Sequence, residues 1–353
     1  MSYKILTLND PEEWNNLLAK LPIEQQDIYY TPEYYSLYEN YGDGKAMCFV
    51  FEKDGDIALY PFLINSVNAL GYDLDKEYYD IQGAYGYNGV VSSSYKGSFI
   101  KEFFKEFNSF CTDINIIAEF SRTNPLINNS EFFNDKYSSL FDRKTVYFDL
   151  KEEEENVFNN LQHSTKRQIR RATNRFGLEL KVYNKMPSDV DDLIAVYNST
   201  MARANAIDYL YFSKEYFYQF ANLNNTLIFC AYHENKPVSV IFGMYGVCYF
   251  HGHLAGSLRE YMHMSPSSFL YWEMYKYSKA MGQKYLHLGG GDDGTDDNPL
   301  LKFKMNFSKH TFDYFIAKRV HNPNIYNEVI SQWQTKYPEK VEKYKNHLLK
   351  YRY

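Results

Sequence analysis

The sequence predicts an α/β (α+β) protein of two similar domains in tandem, followed by a C-terminal helical segment. Three pairs of matching segments carry this prediction. Residues 49–62 and 229–242 read as the same strand–turn–strand unit, 180 positions apart. Residues 31–35 and 213–217 read as the same helix start, 182 positions apart. An Asn-Pro-Leu triplet recurs at Asn124 and Asn298, 174 positions apart. The order is the same in both copies, and 353 residues suit two domains of ordinary size.

Each element has a local reason. Thr31 before Pro32-Glu33, and Ser213 before Lys214-Glu215, place a hydroxyl where a helix N-cap is needed. Asp54-Gly55 and Glu234-Asn235 supply an acid followed by Gly or Asn, which suits a hairpin turn with positive φ. Each copy continues with a Gly-containing aromatic segment (82–89 and 249–256). A helix follows (about 96–111 and 266–281), then a strand (114–120 and 284–288). The domains are expected at 1–145 and 146–322, with a helical extension over 323–353 that breaks near Pro338.

Composition narrows the class. Hydrophobic residues at 45% and charged residues at 23% exclude a disordered chain, a collagen and a coiled coil. A net charge of −6 excludes a globally basic nucleic-acid coat, so any nucleic-acid site must be a local patch. No run approaches the roughly 18 apolar residues of a membrane span. The N-terminal stretch lacks a signal pattern. Cys48, Cys111, Cys230 and Cys248 form no CxxC pair and read as buried free thiols. The expected location is the cytoplasm.

Four segments bear on chemistry. Gly289, Gly291 and Gly294 formally spell GxGxxG after a strand, but Asp292, Asp293, Asp296 and Asp297 follow and would repel a phosphate. A glycine loop at a strand end instead lets a substrate approach the backbone. His251 and His253 share one strand face, beside Tyr249, and read as polar residues lining a cleft. Further zinc ligands at motif spacing are missing, so no metal is expected. Residues 156–176 read as one amphipathic helix. Val157, Leu161, Thr165, Ile169, Ala172 and Phe176 form the apolar stripe, and Lys166, Arg167, Arg170, Arg171 and Arg175 the basic face. Arginine forks on such a face suit phosphates, and a plain solvated face is the alternative. The fourth segment is Leu300–Ser308, beside the acidic glycine loop.

Taken together, these segments resemble the Fem aminoacyltransferase family (FemABX) and its Fem-like acetyltransferase relatives. The resemblance spans about 30–320. It rests on Tyr79–Val90, Leu161–Ala172, Trp272–Gly282 leading into Leu286–Gly290, and Leu300–Lys304 with Phe307. It implies two tandem GNAT-like domains and an acyl or aminoacyl transfer to an amine of a cell-wall (peptidoglycan) or surface-glycan precursor, nucleotide- or lipid-linked. No tightly bound cofactor is implied. The co-substrate would be aminoacyl-tRNA, or alternatively acyl-CoA for N-acetylation of an amino sugar. The coiled-coil arm of some members has no counterpart here. A lipid-linked acceptor would bring peripheral membrane contact.

By the same resemblance, Lys304 matches the family's Phe-Lys lysine and would stabilise the tetrahedral intermediate or the leaving group. The basic helix, with Arg167, Arg170 and Arg171, would hold phosphates of donor or acceptor. From position alone, Asp292 or Asp293 would orient the attacking ammonium or take its proton. Tyr85 and Tyr87 would line the acceptor cleft, with His251 and Tyr249 as further substrate contacts. The expected place of a CoA-binding turn, 257–268, lacks the glycines of an (R/Q)-x-x-G-x-(G/A) signature, which weighs for tRNA as donor. A non-catalytic protein that only binds a glycan precursor is the reading from a different class.

Overall fold

A computed structural model describes residues 3–133 and 137–353. Contacts divide the chain into two compact units. Residues 1–142 and 314–353 form the first, and residues 143–313 the second.

In the first unit, β1 (Tyr3–Thr7), α1 (Pro11–Leu18), α2 (Pro32–Tyr41), β2 (Lys45–Lys53) and β3 (Asp56–Ser66) come first. Then follow β4 (Tyr79–Gln82), β5 (Val91–Ser92), α3 (Gly97–Asp113) and β6 (Ile116–Arg122). The sheet runs β1-β2-β3-β4-β6. β4 and β6 are parallel across the α3 crossover, and the other neighbours in this run are antiparallel. Thr31 caps α2 through Tyr34 N, and the β2–β3 turn places Asp54 and Gly55 at φ 52° and 86°.

The second unit repeats this plan. Its elements are β7 (Ser138–Asp149, from Arg143 on), α4 (Glu154–Asn160), α5 (His163–Asn174) and β8 (Glu179–Tyr183). Then come α6 (Val190–Arg203), α7 (Lys214–Asn222), β9 (Thr226–His233), β10 (Lys236–Tyr245) and β11 (Tyr249–Ser257). The last are α8 (Pro266–Ala280), β12 (Tyr285–Gly290) and α9 (Pro299–Met305). The sheet order is β7-β12-β11-β10-β9-β8, with β11 and β12 parallel across α8. Ser213 caps α7 as Thr31 caps α2, and Glu234 and Asn235 sit at φ 49° and 64°. α8 covers one sheet face through Leu270, Trp272, Met274 and Tyr275, against Phe148, Phe250, Leu286 and Leu288.

Two features differ from the sequence reading. β13 (Thr311–Val320) was expected inside the second domain. From Tyr314 on it belongs to the first unit, where it pairs antiparallel with β6 from Ile316 to Val320. α10 (Pro323–Lys336) and α11 (Val341–Tyr344) follow it there. Val329, Trp333, Leu349 and Tyr351 bury against Val67, Tyr72, Tyr78 and Ile117. Asp80, fully buried on β4, accepts hydrogen bonds from Tyr351 Oη at 2.8 Å and Arg352 Nε at 2.9 Å. The 156–176 segment is also two helices, not one. Leu161 and Gln162 are extended, at ψ 151° and 140°, and Gln162 N donates to Asn306 O. Asn159 and Asn160, poor helix formers that favour local side-chain bonding, precede the break. The apolar stripe is nonetheless buried at Val157, Leu161, Thr165, Ile169 and Ala172.

Gly256 on β11 admits α6. A Cβ there would lie 2.5 Å from Tyr197 Cα and 2.7 Å from Val196 O, which are backbone atoms with no rotamer to yield. Gly256→Ala is expected to destabilise the fold by about 1–3 kcal/mol, the usual range for overpacking. Urea unfolding checks this, and an unchanged midpoint would show that α6 moves away freely.

Candidate functional site

β11 and β12 stay in register for only three residue pairs, Tyr249–Tyr285, Phe250–Leu286 and His251–His287. Beyond them β11 follows β10 to Ser257, and β12 follows β7 to Gly290. The parallel pair therefore opens just past the two histidines. Backbone at such an opening can align an extended acyl carrier.

Lys304 sits at the far end of β12. Its Nζ donates to Gly290 O at 2.6 Å, and the residue is 8% exposed. Burial first and then the nearby Arg143 guanidinium push its pKa down, Asp292 opposes both, and the balance lies at about 7. The glycines serve this arrangement. Gly289 has φ +73° and leaves room for Lys304 Nζ, which would lie 3.3 Å from a Cβ there. A Cβ on Gly290 would lie 2.7 Å from Lys144 O. Arg143 Nη1 donates to Gly291 O at 2.7 Å. The glycine run thus admits side chains and backbone from β7 and α9.

The two aspartates differ. Asp292 Oδ1 accepts a hydrogen bond from Asn298 Nδ2, while Asn298 Oδ1 caps α9 through Leu300 N and Leu301 N. Asp292 therefore faces Lys304 on a fixed support. Asp293, exposed like Asp292, accepts from Thr295 Oγ1 at 2.6 Å and Thr295 N at 2.8 Å. Those bonds hold its carboxyl below the ordinary range, which makes it a weak base.

His251 and His287 lie under the opening, 1% and 2% exposed, with ring centroids 5.6 Å apart and planes at 88°. Burial, His251 and Lys304 together push His287 well below the ordinary histidine range. His253, on the same face of β11, meets Tyr216 Oη through Nε2 at 3.0 Å; burial and then His251 push it down to about 3. Tyr249 is buried and stacks on Tyr285 at 5.9 Å.

The arginines of α5 split by position. Arg167 and Arg170 are exposed and Arg171 is half-buried. No acid within salt-bridge distance is found for these three among the described residues. Arg171 lies over the Phe176 ring, and its Nε is buried without a hydrogen-bond acceptor. Gln168, one turn before Arg171 on α5, accepts from Ser268 Oγ in the first turn of α8 at 2.9 Å. No side chain caps α8, so the Ser267 and Ser268 amides lie at an open helix start beside α5.

Tyr85 and Tyr87 belong to the first unit. Tyr34 Oη donates to Tyr85 O, and Tyr87 meets Tyr29 and Tyr314 edge-on at 5.2 and 5.4 Å. In the second unit the fold gathers Lys304, Asp292 and His251. It adds Arg143, Asn298 and His287, which the sequence reading did not single out. The only prior signal for His287 was its place in the Leu286–Gly290 segment.

Residues 159–304 match the family model for the acetyltransferase (GNAT) domain. No curated protein matches the sequence. Among solved structures, FemX covers 93% of this chain and 99% of its own at 11% identity, with a TM-score of 0.69. The C-terminal domain of a putative lysylphosphatidylglycerol synthetase from Agrobacterium fabrum covers 90% and 92% at 13% identity, with a TM-score of 0.56. A tandem GNAT protein from the clavulanic acid biosynthesis pathway covers 91% and 98% at 10% identity, with a TM-score of 0.50. At these identities the likeness is one of fold. Residues 159–304 thus carry the GNAT match, and the chain as a whole has a tandem GNAT-like fold similar to that of FemX.

Proposed function

We propose that this protein is a Fem-like N-acyltransferase, which moves an acyl group from a phosphate-bearing carrier to an amine of a cell-wall or surface-glycan precursor. The observation that carries the reading is the buried lysine, Lys304, fixed where the parallel strands β11 and β12 have opened.

The chemistry follows from the groups present. A neutral amine nitrogen attacks the acyl carbonyl, and a C–N bond forms as the carbonyl oxygen becomes an oxyanion. The Lys304 ammonium, held in a site with little water, stabilises that charge more than bulk water would. As the carbonyl reforms, the C–S or C–O bond to the carrier breaks, and the leaving atom takes a proton from the Lys304 ammonium. The adduct nitrogen returns a proton to the lysine. Asp292, held by Asn298, orients the incoming neutral amine by accepting one of its N–H bonds and balances the lysine.

Acyl-CoA is the donor favoured here, because the GNAT domain match and the opened strands both suit an extended thioester carrier. Its phosphates would meet Arg171 and the Ser267 and Ser268 amides. One observation keeps aminoacyl-tRNA as a second reading: Arg167 and Arg170 are exposed cations on the same helix as Arg171. Arg171→Ala is expected to weaken acetyl-CoA binding at least about fivefold, with Arg167→Ala/Arg170→Ala near wild type. If tRNA is the donor, the double variant instead loses affinity and flattens the salt dependence. Equilibrium binding of acetyl-CoA and deacylated tRNA at two salt concentrations separates the two, and no binding of either would sink both.

Lys304→Ala is expected to lower kcat at least about tenfold, the scale of one lost electrostatic contact in the transition state. The wild-type kcat is expected to fall as pH rises through about 7, because the lysine must be cationic. Unchanged turnover in the variant would remove Lys304 from the mechanism.

Folding reports the same titration. A lysine whose proton affinity drops on burial makes the unfolded state bind more protons between about pH 7 and its ordinary value of 10.5. Wild-type stability therefore gains on a Lys304→Met variant as pH rises from 7 to 9, by up to about 1.4 kcal/mol per pH unit. Urea unfolding at the two pH values measures this, and parallel changes in both proteins would contradict a buried, deprotonating lysine.

A further inference from the structure

The end of α5 carries a basic cluster that the transfer chemistry does not use. Arg171 and Arg175 stand four residues apart, and each guanidinium lies 5.4 Å from the centre of the same ring, Phe176. Gly177, at φ 62°, ends the helical run, and Phe176 O accepts a hydrogen bond from His233 Nδ1 of β9 at 3.0 Å. The turn Arg259–Met264 brings His263 edge-on to the ring at 5.6 Å, with His263 Nδ1 donating to Glu260 O at 2.9 Å. Three elements thus fix the ring on which two arginines rest. The acids nearby meet other groups: Glu234 meets His233 and Glu260 meets Lys236, each at 3.9 Å. Neither arginine has a carboxylate within salt-bridge distance among the described residues. Arg171 Nε is buried with no acceptor.

Two guanidiniums held on one ring repel each other, and like charges four residues apart oppose helix formation. Stacking on an aromatic face also leaves the N–H edge of an arginine open to an anion. An anionic ligand supplies the balance that the fold does not. The helix sets its spacing. Four residues rise about 6 Å along α5, comparable with the separation of the 5′ and 3′ phosphates of one nucleotide. On the acyl-CoA reading the diphosphate meets Arg171 and the Ser267 and Ser268 amides. A carrier with that diphosphate alone would leave Arg175 unbalanced. CoA carries a phosphomonoester on the same ribose, with close to two negative charges at neutral pH. Each phosphodiester of an RNA carries only one.

We propose that Arg175, seated with Arg171 on Phe176, binds the ribose 3′-phosphate of the donor, and that the protein thereby selects CoA thioesters over their 3′-dephospho forms. Arg171 meets the part of the carrier that both forms share, and Arg175 the group that distinguishes them. No bond changes at this site: it sets which carrier is held, not how the acyl group leaves. This selection rests on the acyl-CoA form of the proposed function.

Calorimetric titration of the full chain with CoA and with 3′-dephospho-CoA tests this. Wild type is expected to bind CoA at least about tenfold more tightly, the scale of one charge-assisted contact. Arg175→Ala is expected to lower CoA affinity to that of dephospho-CoA, and to leave dephospho-CoA binding within about twofold of wild type. Arg171→Ala is expected to weaken both nucleotides by a similar factor. Arg175 is exposed, and if alanine there perturbs folding, Arg175→Gln serves instead. Equal wild-type affinities for the two nucleotides would overturn the selection and leave the acyl-CoA donor in place. The same loss for both nucleotides in Arg175→Ala would also overturn it, since that marks a general loss of positive charge. Binding of neither nucleotide would remove the acyl-CoA reading itself, and the selection with it. Weaker binding of deacylated tRNA but not of CoA in Arg175→Ala would give this face to RNA and overturn the proposal.

Discussion

An ammonium resting on a backbone carbonyl at the end of β12 is the contact on which the second unit's site depends. Lys304 reaches Gly290 O only because Gly289 takes φ +73° without a Cβ in the way. It is oriented only because α9 starts at a fixed point, set by Asn298 capping Leu300 and Leu301. The same asparagine holds Asp292, so one side chain sets both the helix that carries the lysine and the carboxylate that faces it. Burial of the lysine opposes folding, since it takes a charge out of water. A group kept at that cost, beside an opening in the sheet, is better explained by chemistry than by stability.

The two repeats share a plan but differ where chemistry would sit. In the second unit the parallel strands open beyond His251 and His287. In the first unit the corresponding space next to β6 is filled from within the chain. Asn88 N donates to Arg122 O at 2.6 Å, and Asn88 Oδ1 accepts from Arg122 N at 2.7 Å and Ser121 Oγ at 3.1 Å. A Cβ on Gly83 would collide with that asparagine. The first Asn-Pro-Leu triplet starts no lysine-bearing helix either. Asn124 Oδ1 accepts from Leu126 N within a turn, and its Nδ2 donates to Asp27, far back along the chain. On β6 the buried group is an acid, Glu119, held by Tyr60 and Tyr137 hydroxyls and by His321 Nε2 at 2.6–2.8 Å. One copy of the repeat is closed with hydrogen bonds and the other is left open around a base.

What the sequence made legible follows from the range of each interaction. Hairpins and caps depend on adjacent residues, so Asp54-Gly55, Glu234-Asn235, Thr31 and Ser213 could be read directly. The stripe through Val157 to Ala172 was legible as burial, but the break at Leu161–Gln162 was not. The bond that accompanies it goes to Asn306, far along the chain. The return of β13 to the first unit was hidden for a similar reason, since nothing in residues 311–320 names β6 as partner. Lys304 was found through family resemblance, and Asp292 through position. Arg143 and His287 join the site through strand register, which leaves no local pattern, whereas Asn298 stood in the recurring Asn-Pro-Leu triplet as a legible helix cap whose bond to Asp292 was not.

Register also explains why histidines suit this place. His251 and His287 stand opposite each other on parallel strands, so both imidazoles must share one buried space. A carboxylate at His287, a position that interacts electrostatically with Lys304, would raise the proton affinity of the lysine. An aliphatic residue would leave the lysine no polar neighbour on that side. A neutral imidazole does neither: burial, His251 and Lys304 hold His287 well below the ordinary histidine range, so it stays uncharged near the ammonium. Acyl transfer needs a group that is cationic as the oxyanion forms and can part with its proton as the carrier leaves. A lysine surrounded by carboxylates meets the first need and fails the second. On the proposed reading Lys304, with Arg143 and Asp292 both acting on its proton affinity, would meet both.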